Sequence, residues 1–236
     1  MNDDASIRCW AGRALLALAL IASPWAHAQS YCSSDGQTQP ARLLERFTSA
    51  DCEACWAEAA EGPARAEPDE LALDWVVASS KGDDAPLSAA ASSDAPARLA
   101  SLQQAAPVAV SAVRRLVQAP KRGLRVSHGL PFNGYLGTSI ELKLPGTGRW
   151  TAWLALVETI PAGNDGTPVE RNLVRNTLQL AWPASKEQLR LFESRPMSIP
   201  AGARPERLRV VGWIEDGLGR MRAIAQSRCT PAASGG

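Results

Sequence analysis

A chain of 236 residues with 25 Lys and Arg against 24 Asp and Glu carries a formal net charge of +1, too even a balance to draw in nucleic acid or an anionic membrane over long range. No segment is apolar over the roughly 20 residues a helix needs to cross a bilayer, so no membrane insertion is expected. The length suffices for one large core or two small ones.

Residues 1–28 read as a cleavable secretory signal. Arg8 and Arg13 precede an apolar run from Ala14 to Ala22, then come Pro24 and the small-residue triplet Ala26-His27-Ala28 ahead of Gln29. Asp3 and Asp4 leave the leading segment less basic than usual. Export would remove Cys9 and place residues 29–236 in an oxidising space, periplasmic or secreted. Cys32, Cys52, Cys55 and Cys229 remain; an even count there reads as two disulfides with three possible connectivities. The economical pairing joins Cys52 to Cys55 and Cys32 to Cys229. The second closure removes about 4–5 kcal/mol of loop entropy from the unfolded chain, so it reads as structural.

In chain order, Arg42 to Thr48 (RLLERFT) suits a partly buried strand. Ser49-Ala50-Asp51 forms a polar turn with capping character, and Cys52 to Ala60 (CEACWAEAA) is rich in helix formers until Gly62-Pro63 stops it. Leu71 to Ala78 reads as a buried strand centred on Trp75, Val76 and Val77. Ser79 to Pro96 is a long loop of Ser, Ala, Asp, Gly and Pro, and Ala97 to Gln104 suits a short helix. Beyond Pro107 eight strand-like segments follow: 108–117, 124–127, 138–144, 150–160, 173–182, 189–199, 208–215 and 220–226. Gly-bearing turns at Pro145–Gly148, Ala162–Gly166 and Asp216–Gly219 separate several of them at hairpin spacing. This texture predicts an antiparallel β-sandwich over 106–230, after a first unit over 29–105 and before a disordered tail over 231–236.

Cys52 and Cys55 are the residues whose spacing points to chemistry. Three apart on a helix, two thiols share a face. Unpaired backbone N–H groups at a helix start favour a thiolate, the nucleophilic form, so Cys52 would attack and Cys55 would resolve the mixed disulfide. Asp51 and Glu53 oppose that effect by like-charge repulsion, and Trp56 is placed to shield the pair. The spacing alone leaves a static bridge equally open. Zinc held by all four thiolates would need them reduced in an oxidising space. Haem attachment needs His after the second Cys, where Trp56 stands. No cofactor or metal is expected. His128, in a Ser-His-Gly run, reads as a turn residue, since no nucleophile and acid accompany it. Pro131 to Gly137 reads as a bulged hairpin loop. Trp150, Trp153, Trp182 and Trp213 read as sandwich core. Arg171 and Arg175 read as a solvated basic patch, with an anion site as the alternative.

Three stretches, LLERFTSADCEAC (43–55), NDGTPVERNLVRN (164–176) and RVVGWIEDGLGRMRAIA (209–225), together resemble a family of secreted bacterial thioredoxin-like proteins of unknown function. In that family a strand-CxxC-helix opening precedes a β-rich C-terminal region. The resemblance implies an α+β fold, a shortened thioredoxin-like N-terminal part at 29–105 followed by the antiparallel β-sandwich. It implies thiol–disulfide exchange through Cys52 and Cys55, with protein thiols or disulfides as partners and no nucleic acid. Trp56 stands where the family has Pro, and Ala106-Pro107 where it has Thr-Pro, so Trp56 and Pro107 are the implied substrate contacts. About 30 residues between the Trp75 strand and Pro107 are too few for a full thioredoxin half. A non-catalytic cell-envelope binding module with a structural CxxC disulfide is the rival reading.

Overall fold

The computed structural model describes residues 32–59 and 61–229; the signal at 1–28 and the tail at 231–236 lie outside them. Twelve strands form among the described residues: β1 (Cys32–Ser33), β2 (Arg42–Ser49), β3 (Glu70–Val77), β4 (Val110–Leu116), β5 (Gly123–Phe132), β6 (Tyr135–Lys143), β7 (Gly148–Ile160), β8 (Arg171–Ala184), β9 (Arg190–Ser198), β10 (Leu208–Asp216), β11 (Met221–Gln226) and β12 (Arg228–Cys229). Two short helices interrupt them, α1 (Glu53–Ala57) and α2 (Ala95–Ser101).

Local turn chemistry sets most of the pairing. Asn133 and Gly134, both at positive φ, close the β5–β6 hairpin as the right-handed strand twist favours. At the β10–β11 turn the Asp216 carboxylate accepts the Leu218 and Arg220 amides. The strands assemble into a five-stranded sheet, β12-β1-β5-β6-β9, and a seven-stranded sheet, β11-β10-β7-β8-β3-β2-β4. The Cys32–Cys229 disulfide ties β1 to β12 where those two strands pair.

The expected α+β class, with a shortened thioredoxin-like part ahead of a separate sandwich, is not what forms. The chain is mostly strand, and α1 has five residues, too few to cover a sheet face. β2 and β3 pair in parallel from Arg42↔Glu70 to Ser49↔Val77. Both are buried on their two faces, and parallel strands of that kind need cover on each side. They join the seven-stranded sheet, through Asp74↔Leu173 to β8 and through an antiparallel ladder to β4, and α2 packs over one face with Ala95 and Leu99. Residues on both sides of position 105 therefore share one sheet.

The long strand β7 shows how the layers stack. Its Ala152, Leu154 and Leu156 face the five-stranded sheet, meeting a core that includes Val126, Ile140 and Leu142. Its Trp153, Ala155 and Val157 face the other way, into a second core with Phe47, Leu73, Trp75 and Trp213, which α2 covers with Ala95 and Leu99. The four tryptophans expected in the core are all buried, but they divide between these layers: Trp150 and Trp182 in the first, Trp153 and Trp213 in the second. A third, smaller cluster joins Trp56 to Ala50, Val76, Ile160 and Leu173.

The two sheets approach each other closely at Gly212 on β10. A Cβ there would stand 2.6 Å from Val126 Cγ1 and 3.0 Å from Ile140 Cδ1. Gly212→Ala is expected to destabilise the protein by about 1–3 kcal/mol through overpacking, read from the urea midpoint at an unchanged slope; an unaffected midpoint would contradict this closeness of the sheets.

Candidate functional site

The Cys52–Cys55 disulfide closes a turn between β2 and β3. Cys52 occupies the N-cap of α1, and its amide donates to the Ser49 carbonyl at 3.0 Å, so that N–H is not free to stabilise a thiolate. A five-residue helix adds little dipole of its own. Both cysteines are half-buried. Of the acidic neighbours, Asp51 accepts from the Ser79 hydroxyl at 3.0 Å and meets Lys81 at 3.3 Å, while Glu53 is exposed.

Trp56 turns inward. Its ring is buried and its Nε1–H donates to the Asp165 carbonyl at 2.9 Å. The Arg171 guanidinium lies 5.2 Å from the ring centroid, a cation–π contact. Pro107 lies on the connection leading into β4, where the Ala109 carbonyl accepts the Ser49 amide at 2.8 Å. The two residues implied as substrate contacts thus sit differently: Trp56 is an internal anchor, and Pro107 is half-buried on a neighbouring loop.

Arg171 is the residue on which the CxxC turn rests. A helix leaves its last carbonyls without intrahelical donors, and Arg171 Nη2 reaches those of Cys55, Trp56 and Glu58 at 3.4, 3.3 and 3.0 Å. Its Nη1 meets Asp74 Oδ1 at 3.3 Å. Asp74 Oδ2 accepts from Arg46 at 2.8 Å and from the backbone amide of Asn172 at 2.8 Å. Burial pushes the Arg171 pKa down first; Asp74 pulls it back up and Arg46 opposes that. The expected solvated patch at Arg171 and Arg175 is therefore corrected. Arg171 is buried, and Arg175 is paired with the buried Glu158 at 2.6 Å.

His128 lies within β5, opposite Cys32, and not in a turn. Its Nδ1 is 2.8 Å from the Gly129 carbonyl, and its Nε2 is buried without a hydrogen-bond partner. Burial pushes its pKa down, with the Gly129 bond opposing, so the imidazole is neutral at pH 7. The donor atoms of Cys32, His128 and Cys229 lie within 4.8 Å of one another. The two sulfurs are bonded to each other, which leaves no thiolate for a metal.

Two groups of buried charges escaped the sequence reading. Under α2, Arg98 donates to Glu45 at 2.8 and 2.6 Å; Arg115 pairs with Glu215 at 2.7 Å. Arg98 also lies 4.6 and 5.0 Å from the stacked rings of Trp153 and Trp213. The other group is Arg46, Asp74 and Arg171. The signal for both was Glu45-Arg46 in the middle of RLLERFT: adjacent strand residues point to opposite faces, so once both faces are buried each charge needs its own partner.

Arg46 also lines two adjoining clefts. One, of about 650 Å³, is bounded by Cys55, Arg171, Val110 and Ser111. The other, of about 1090 Å³, opens where β3, β8 and β10 begin and β11 ends, at Ala72, Asn172, Arg209 and Gln226. Ala59 and Glu61 border both.

No protein-family model matches the chain, and no curated protein matches it. Among the described residues, no helix is long and apolar enough to cross a membrane.

Removing Asp74 would strand two buried guanidiniums. Asp74→Ala is expected to cost about 3–5 kcal/mol, whereas Asp51→Ala, which loses a hydroxyl hydrogen bond and a contact to an exposed lysine, should cost about 1 kcal/mol. Urea unfolding of the two variants checks the ranking, and comparable losses would contradict it.

Proposed function

We propose that the protein is an exported, non-catalytic binding module in which Cys52–Cys55 is a structural staple in the wall of a ligand cleft. The observation that carries this reading is the anchorage of the CxxC turn. Three features, the Trp56 ring, its indole N–H and the carbonyls of Cys55, Trp56 and Glu58, are each engaged by Arg171 or Asp165. An exchanging dithiol needs the attacking sulfur to open, bind a partner sulfur and close again. A turn held at this many points resists that movement. A signal-like N-terminus and two disulfides support export to an oxidising compartment.

Thiol–disulfide exchange with protein partners is the second reading. The half-exposure of Cys52 and Cys55, together with the place of Cys55 on the smaller cleft, favours it.

Insulin reduction separates the two. The wild-type protein is expected to give no more turnover than a Cys52→Ser/Cys55→Ser variant. That variant should lose about 2 kcal/mol of stability, the entropy of a four-residue closure. Turnover present in the wild type and abolished in the variant would establish exchange and end the staple reading.

A further inference from the structure

The buried arginines are not equally compensated. Under α2, Arg98 and Arg115 face Glu45 and Glu215, two cations against two carboxylates. Around the larger cleft the balance differs. Arg46, which lines it, shares Asp74 alone with Arg171, which lines the smaller cleft. Arg209 has no carboxylate partner among the described residues: its Nη1 donates to the Gln226 side-chain carbonyl at 2.8 Å and its Nη2 to that of Asn172 at 2.6 Å. The Nε atoms of Arg46 and Arg209 are buried without a hydrogen-bond partner, as are Nε and Nη2 of Arg115 under α2, so the missing carboxylate is what sets the cleft apart; Arg46 as a residue is only 4% exposed.

These residues form one connected floor. Gln226 and Asn172 hold Arg209, the Asn172 amide binds Asp74, and Asp74 binds Arg46 and Arg171. Three guanidiniums in that chain face a single carboxylate. Neutral amides orient a guanidinium but do not cancel its charge, and an uncancelled charge in a poorly solvated wall is costly. Burial pushes the Arg209 pKa down, Glu170 only partly offsets this, and Arg228 adds to it. Glu61, Asp69 and Glu170 stand on the exposed rim, and the buried Glu70 carboxylate is paired with Arg114 at 2.6 Å, so the uncompensated positive charge is that of the floor.

We infer that the 1090 Å³ cleft binds an oxyanion, a ligand presenting carboxylate or phosphate oxygens to Arg46 and Arg209. Guanidiniums are the side chains whose planar N–H forks match those oxygens in pairs. Asn172 and Gln226 hold Arg209 in place before the ligand arrives, which reduces the ordering cost of binding. The ligand supplies the negative charge that the fold omits. This inference names the ligand class of the binding module proposed above and rests on that reading.

The test is calorimetric titration of the purified protein with inorganic phosphate and, separately, with succinate, at constant ionic strength set by sodium chloride. Saturable binding of at least one is expected, with at least a tenfold loss of affinity in Arg209→Gln. Saturation by phosphate alone assigns a phosphate-bearing ligand; saturation by succinate alone assigns a carboxylate-bearing one. In the wild type, the same titration followed by NMR should shift the Nε–H resonances of Arg46 and Arg209, a readout that does not depend on any variant folding. Failure of both anions to saturate, undiminished binding in Arg209→Gln, or unmoved arginine resonances would overturn the inference. Insulin turnover would defeat the staple reading without altering these titrations, and absent anion binding would leave the staple reading intact.

Discussion

One buried carboxylate, Asp74, ties the N-terminal strands β2 and β3 to β8. Strand β3 meets β8 through the single pair Asp74↔Leu173, far less than the eight-pair ladder it makes with β2. Asp74 reinforces that junction with its side chain. It accepts the Asn172 amide as a neighbouring strand's carbonyl would, and it bridges Arg46 on β2 to Arg171 on β8. A carboxylate with charge-assisted bonds to three donors outweighs ordinary ladder hydrogen bonds, and its loss would leave the two arginines buried and unpaired.

The CxxC turn inherits its rigidity from this junction. Arg171 is fixed at one end by Asp74, and its other end satisfies the open carbonyls of α1. Trp56 stacks beneath the same guanidinium and packs into the cluster of Val76, Ile160 and Leu173. The spacing of Cys52 and Cys55 suggested a mobile redox pair. On the reading proposed above, the disulfide is one more tie in a wall of the smaller cleft, which Cys55 lines. The charge left over at the junction is also what distinguishes the cleft floor from the balanced network under α2.

Much of the strand pattern was legible in the sequence because it depends on neighbours a few residues away. Alternation and Gly-bearing turns placed β6 to β11 close to where they lie and the Leu71–Ala78 segment marked β3, whereas only 124–127 of β5 was read as strand and its end, Pro131-Phe132, as loop. The short strands β1 and β12 escaped notice: two residues carry no period, and they exist where the Cys32–Cys229 bond brings the chain ends together. The fold class failed for a related reason. A strand, a CxxC turn and a helix look alike locally whether the strands form their own sheet or join a larger one. That choice was made by the cover available to Leu43, Phe47, Leu73 and Trp75, which comes from α2 and from Trp153 and Trp213, far away in sequence. The site was legible only at its cysteines. Arg171 beside Arg175 resembles a surface pair until the register buries one and pairs the other with Glu158.

The link from Asp74 through Arg171 to the CxxC turn is tested most directly by the rate at which dithiothreitol opens Cys52–Cys55, in the wild type and in Arg171→Met. Cys32–Cys229, whose Cys229 is exposed and whose strands lie in the other sheet, serves as the internal control. The account predicts that Cys52–Cys55 opens at least tenfold faster in the variant, about 1.4 kcal/mol of lost restraint, while the control rate stays the same. Equal rates for Cys52–Cys55 in the two proteins would contradict it.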